Sequence, residues 1–222
     1  MLSAAPRRAR RAARRLARLR GCTSGLALTE FAFALPILLA LGLLGLESAN
    51  FAMAHLRISN IAVMTADNAA RVRESIDEAD VIELLMGAKM SGAGIRFGEN
   101  GRIVLSSIEV NPGGTGQWIR WQRCDGLRNT PSLYGGQGAG QNNASLQGLG
   151  PAGNQISAQP GTAVMMVEVV YDYQPIIPNS FLEGRQIRYE SAFNVRQRTD
   201  QAIKNAGNIP TGQRRTCNLF QA

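Results

Sequence analysis

From Phe31 to Leu46 the chain runs for 16 residues without a charged side chain. As a helix this stretch rises about 24 Å, short of the roughly 30 Å hydrocarbon layer of a bilayer, so a spanning segment must extend past one of its ends. Extension toward Leu26 takes in Glu30, and extension toward Ala54 takes in Glu47. A charged carboxylate near the centre of a membrane helix costs up to about 3 kcal/mol. The run therefore predicts a membrane segment whose acid has a purpose.

The charge of the chain is concentrated ahead of that run. Its net charge of +8 suggests a nucleic-acid partner until it is located, because Arg7, Arg8, Arg10, Arg11, Arg14, Arg15, Arg18 and Arg20 all precede the first acid, Glu30. Without those eight, 16 basic residues face 16 acidic ones, and the body of the chain has no surplus to attract phosphate. No nucleic acid is expected as a partner. By the positive-inside rule the arginines hold the N-terminus in the cytoplasm and send the rest across. Two other readings fit part of this. A secretory signal peptide shares the basic and apolar regions, but this apolar stretch is longer than usual and runs into an amphipathic helix without a break. A mitochondrial transit peptide accounts for the arginines and leaves Glu30 unexplained.

Gly25 stands five residues before Glu30, and the aromatic Phe31 follows it. Glycine, four residues, glutamate, an aromatic and a long apolar helix resemble the processing signature of prepilins. The resemblance implies a cut between Gly25 and Leu26 by a membrane-embedded aspartyl peptidase on the cytoplasmic side, with residues 1–25 removed. Leu26 would then carry an ammonium group, and Glu30 would be the fifth residue of the mature chain. When such helices pack together, a neighbour's ammonium can pair with that carboxylate and fix the axial stagger. Pro36 removes one backbone bond and bends the helix near its start. Gly42, Gly45, Ala49 and Ala52 recur at three or four residues. That stripe is either a face for close helix contact or the ordinary Gly and Ala richness of membrane helices.

Past the membrane part, 26–54, the same helix is expected to continue as an amphipathic one over 55–94. Ile58, Ile61, Thr65, Ala69, Val72, Ile76, Ala79 and Ile82 form one face, and Arg57, Asn60, Asp67, Arg71, Glu74 and Glu78 fill the other. Residues 95–222 read as a β-rich head. Strands are expected at Arg102 to Val110, Gln117 to Arg123, Ala163 to Tyr173 and Arg185 to Arg196. The third places Met165, Val167, Val169, Tyr171 and Tyr173 on one face, and the fourth does so with Ile187, Tyr189, Phe193 and Val195. The expected fold class is α+β: a long N-terminal helix packed on a small antiparallel sheet, with at least one strand face solvated. Asp125 to Gly161 is rich in Gly, Asn, Gln, Ser and Pro and reads as a long loop. Its GGQGAG piece lacks the Lys-Ser or Lys-Thr and the strand-to-helix setting of a phosphate loop.

Cleavage would discard Cys22 and leave Cys124 and Cys217 as an even pair in an oxidising compartment, where a disulfide is expected over two buried thiols. Catalysis finds little footing. His55 is the only histidine, so no triad or histidine metal cluster can be assembled from this chain. Glu168 and Asp172 share one strand face and could do acid-base work, but a solvated sheet face explains them more simply. No catalytic, cofactor or metal site is expected.

Together, GLALTEFAFALPILLALGLLGLE and the later WQRCDG, GTAVMMVEVVYDYQP and IRYESAFNVR resemble the TadE-like pseudopilins of the tight-adherence pilus machinery. The N-terminal motif carries most of the likeness; Phe31 departs from the Tyr that Flp pilins favour there. The resemblance implies a pilin-like, non-enzymatic protein of the bacterial inner membrane with a periplasmic head. Its partners would be the prepilin peptidase and other Tad pilins and pseudopilins, and its role the assembly of Flp-type pili. The rival readings are an uncut, membrane-anchored binding or sensor protein and a tethered enzyme using the 125–161 loop as a lid.

Overall fold

The computed structural model describes residues 25–150 and 153–220; the arginine leader and Cys22 lie outside the described residues. The chain divides between Ser48 and Ala49 into two compact units. Helix α1, Leu26–Arg71, is 46 residues long and belongs to both.

In the first unit the helix is apolar on every side from Phe31 to Leu46, between Glu30 and Glu47. Leu28, Phe33, Ile37 and Leu41 are all exposed, and an 18-residue window of α1 reaches a mean hydropathy of 2.1. It is long and apolar enough to cross a membrane. Its hydroxyls are satisfied within the helix: Thr29 donates to the Leu26 carbonyl at 2.8 Å and Ser48 to the Leu44 carbonyl at 2.8 Å. Such back-bonding removes donors that hydrocarbon cannot hydrate. Pro36 has no N–H to offer the Ala32 carbonyl one turn earlier.

In the second unit α1 narrows to one buried face. Ala54, Ile58, Ile61, Ala62, Ala66, Ala69 and Ala70 are buried against Ile103, Leu105, Met165, Val167, Val169, Tyr171 and Ile187. The alanines matter because short side chains let the helix backbone come close to the sheet. The sheet is antiparallel throughout, in the order β3 (Gln117–Asp125), β2 (Gly101–Val110), β4 (Val164–Asp172), β5 (Gln186–Asn194). All four strands begin and end within two residues of where alternation places them. The fold is α+β, with a long N-terminal helix and an antiparallel sheet, as expected.

The continuous helix over 55–94 is corrected. Helix α1 stops at Arg71, and a short strand β1, Glu74–Asp77, precedes a separate helix α2, Glu78–Ser91. Glu74 takes a left-handed φ of 57°, which no helix interior tolerates. Strand β1 pairs in parallel with β6, Arg198–Lys204, bringing Ile76 opposite Ile203. Helix α2 then starts afresh on a capping box: the Asp77 carboxylate accepts from the Ala79 N–H at 3.0 Å, and Asp80 accepts from the Asp77 N–H at 2.8 Å. The restart shifts the helical phase. The buried positions of α2 are Glu78, Val81, Leu85 and Ala88, while Ala79 is exposed and Ile82 only half-buried.

Glu78, expected on the solvated face, is thus buried and forms a two-pronged ion pair with Arg123 of β3, whose Nε donates to Oε2 at 2.9 Å and whose Nη2 donates to Oε1. Arg123 Nη1 is spent on the Gln122 carbonyl at 2.8 Å and Gln137 Oε1 at 3.1 Å. Beyond α2 a turn of 3-10 helix, Ala93–Ile95, and a single helical turn α3, Phe97–Asn100, lead into β2. A side chain at Gly92 or Gly101 would collide with the Phe97 ring they flank.

Cys124 and Cys217 form a disulfide across 93 residues, with their Cα atoms 4.8 Å apart. Closing a ring of that length in the unfolded chain stabilises the head by about 4–5 kcal/mol. Among its described residues past Asp125 the Gly-rich segment has no helix or strand, as expected of a loop, but it is packed against the sheet. Leu146, Leu149 and Ala158 fold back onto Ile108, Ile119, Val164 and Met166, forming a second apolar cluster on the outer face of the sheet. Leu149 and Ile156 pair through two backbone bonds of 2.7 and 2.8 Å.

Removing one member of the Glu78–Arg123 pair strands the other charge in the interior. Glu78→Ala should lower the unfolding free energy by about 3–5 kcal/mol in urea titrations of the detergent-solubilised chain, while Glu78→Leu with Arg123→Leu should recover most of the loss.

Candidate processing and assembly site

Gly25, Leu26, Glu30 and Phe31 lie at the exposed start of α1. A Cβ placed on Gly25 meets no atom within 4 Å, so the fold itself does not demand glycine there. Any requirement for glycine comes from what binds this peptide bond. Leu26 and Glu30 are four residues apart on one helix and share a face, about 6 Å apart along the axis. Both are exposed, as is Phe31: Leu26 is 60% exposed and Phe31 56%. An ammonium at Leu26 would sit at the positive end of the helix dipole, where a nearby carboxylate is the stabilising counterpart.

Gly42 and Gly45 are exposed as well, and a Cβ on either would meet no atom within 4 Å. Ala49 and Ala52 are exposed at the same spacing. The stripe is open, with room for another helix. It lies about 24 Å up the axis from Leu26, so α1 does not bring the stripe and the Gly25–Phe31 group together. Pro36 lies between them on the exposed helix.

The acids of the head have a different environment from the one expected. Glu168, placed on a solvated sheet face by the alternation of β4, is 2% exposed. Segment 128–134 lies over it: Ser132 Oγ donates to Glu168 Oε2, and the Leu133 N–H donates to Oε1 at 2.9 Å. Across the strands Glu168 faces Glu190, whose Oε2 accepts from the Tyr134 hydroxyl at 2.6 Å. Arg188 Nη1 reaches Glu168 Oε1 at 3.5 Å. Asp172, 44% exposed at its side chain, accepts from Arg128 Nε at 2.7 Å. Three acids on the outer sheet face thus fasten one end of the Gly-rich segment. Burial pushes the Glu168 carboxyl above the usual carboxylate range against the opposing pull of its Ser132 and Leu133 bonds. Burial, with Glu190, holds the Tyr134 hydroxyl up at about 12. Composition alone shows none of this, because it is the packing of segment 128–134 on the sheet that turns this part of the face into an interior.

His55 packs edge-on against Phe51 and Tyr189, with Nδ1 3.2 Å from the Tyr189 hydroxyl. Asn50 donates to the Tyr173 hydroxyl at 2.6 Å. Among the described residues no three His, Cys, Asp or Glu side chains converge on a metal position. Comparison with known protein families, characterised proteins and solved structures finds no match for this chain.

The Glu168 shift has a sign that can be checked. A carboxyl whose folded pKa is raised contributes its stability in full below the unfolded value, about 4.3, and loses it as pH climbs through the folded value. Glu109, also raised by burial, contributes with the same sign. The urea midpoint of the head should therefore fall as pH rises out of the carboxylate range, and Glu168→Gln should flatten that decline relative to the parent chain.

Proposed function

We propose that this chain is a minor pilin-like subunit for Tad/Flp-type pilus assembly, cut after Gly25 by a prepilin peptidase and assembled through α1. The observation that carries the reading is Glu30. It is an exposed acid in the opening turns of α1, the fifth residue past the bond that follows Gly25, directly ahead of 16 residues without a charge. A lone carboxylate there is costly in lipid, and a second charge of opposite sign offsets that cost. Cutting after Gly25 creates such a charge on every copy of the protein. The open Gly42 and Gly45 stripe supports the same reading, since it offers a close-packing face on the same helix.

The arginines ahead of Gly25 favour a cytoplasmic N-terminus and a periplasmic head in the bacterial inner membrane. The disulfide supports the exported placement of the head, because such bonds persist in oxidising compartments. On this reading the partners are the peptidase, the other Tad pilins and pseudopilins, and the membrane itself.

N-terminal sequencing of the protein extracted from membranes of its native host should begin at Leu26. Retention of the arginine segment in cells with active prepilin peptidase would instead assign the chain to uncut anchored binding or sensor proteins. Glu30→Ala should still be cut, yet should enter assemblies roughly a hundredfold less well, the equivalent of losing about 2–3 kcal/mol of charge pairing. Undiminished piliation by that variant would remove the pairing from the mechanism.

A further inference from the structure

The second unit begins at Ala49, and Asn50 lies about 6 Å along the axis of α1 from Leu46, the last residue of the charge-free run. From there α1 runs antiparallel to β4. Asn50 donates to the Tyr173 hydroxyl at 2.6 Å, and His55 meets Tyr189, which stands opposite Val169. Farther along, the Ala70 carbonyl accepts from the Arg196 N–H at 3.4 Å, next to the bond that joins the Val195 N–H to the Ala163 carbonyl. As α1 advances from Asn50 to Ala70, its partners step back along β4 from Tyr173 to Ala163. The chain that leaves β4 at Tyr173 is therefore at the end of the head from which α1 comes.

The connection from β4 to β5, residues 174–184, closes on itself there. The Tyr173 N–H donates to the Arg185 carbonyl at 2.8 Å. Inside the loop the Ser180, Glu183 and Arg185 N–H groups donate to the Ile177, Ser180 and Leu182 carbonyls at 3.3, 3.0 and 3.3 Å, and Pro175 and Pro178 have no N–H to satisfy. Backbone groups that are bonded or absent in this way lose less on leaving water. From Tyr173 to Leu182 ten residues pass without a charge, between Asp172 and Glu183. Leu182 is buried in the core and ties the loop to the head, whereas Ile176 is 54% exposed and Phe181 62%. Ile176 borders a small cavity together with Asn50 and Ala54, so it lies beside the start of α1 in this unit. Large apolar side chains held outward on an uncharged loop mark a contact with something apolar.

We propose that loop 174–184 is seated in the interfacial layer of the bilayer, with Ile176 and Phe181 against lipid. The inference rests on α1 crossing the membrane. The layer between hydrocarbon and bulk water is about 5–7 Å deep on each side, and Asn50, beside which Ile176 lies, is about 6 Å past the end of the charge-free run. Apolar and aromatic side chains of peripheral segments settle at this depth. Held by a loop as well as by a helix, the head cannot turn freely about α1.

The test uses the full chain with isotope-labelled isoleucine methyl groups in phosphatidylcholine nanodiscs. Lipids spin-labelled along the acyl chain are compared with a water-soluble gadolinium chelate as broadening agents. Three methyls are read: Ile37 of the charge-free run, Ile176, and Ile156 of the Gly-rich segment, which is 44% exposed. The lipid labels should broaden Ile37 and Ile176 and leave Ile156 sharp, and the chelate should do the reverse. Phe181→Asp should abolish the lipid broadening of Ile176 and leave that of Ile37 unchanged, with an unshifted methyl of buried Ile187 reporting an intact head. Ile176 broadened by the chelate as strongly as Ile156, while Ile37 still responds to lipid, would overturn the seat of the loop and leave the span standing. Loss of the lipid response at both Ile37 and Ile176 would overturn span and seat together. Protection of Ile176 from both agents would assign the loop to a polypeptide partner and overturn the proposal, as would lipid broadening that persists in Phe181→Asp.

Discussion

Along α1 the distribution of apolar faces changes while the helix itself is continuous. Over Phe31 to Leu46 every face is hydrocarbon, and from Ala54 onward a single alanine-rich face is buried. The sheet depends on that second stretch. Ile103, Leu105, Met165, Val167 and Val169 turn their side chains to one side, where Ile58, Ile61 and Ala66 cover them together with Val81 and Leu85 of α2. The helix is the floor on which β2 and β4 are laid, and its small side chains set how near they come.

What could be read from the sequence followed the strength of each pattern. Strict alternation in Ile187, Tyr189, Phe193 and Val195 located β5, because a period of two leaves little freedom in where a strand lies. The N-terminal motif was legible for a different reason: an acid inside an apolar run is a local anomaly that needs no tertiary information. The end of α1 was hidden because Val72, Ile76 and Ala79 continue a helical spacing by coincidence. The signal that could have shown it was Asp77 with Asp80, a start motif in the middle of an apparent helix. Missing that restart reversed the fate of Glu78, which went from solvent to the interior. Strand β6 escaped notice because its pairing with β1 joins segments more than a hundred residues apart.

The outer face of the sheet shows how little composition says about a Gly-rich segment. Glycines, serines and asparagines dominate 125–161, yet a few apolar residues spaced along it, Leu146, Leu149 and Ala158, suffice to lay it over Val164 and Met166. Once laid down, the segment needs polar fastening, and β4 and β5 supply it through Glu168, Glu190 and Asp172. It also closes an edge: the Ile119 N–H of β3 donates to the Ala139 carbonyl at 2.9 Å, and the Gln117 N–H donates to the Leu146 carbonyl at 2.7 Å. Backbone groups that would otherwise invite pairing with another chain are occupied.

The Cys124–Cys217 bond spans the Gly-rich segment together with β4, β5 and β6. A protease that nicks the backbone anywhere inside that ring produces two polypeptides that are still one molecule. The exposed parts of the segment, at Asn142, Asn143 and Ser145, can therefore be clipped without releasing a fragment. The staple keeps the head covalently whole when such an exposed stretch is severed.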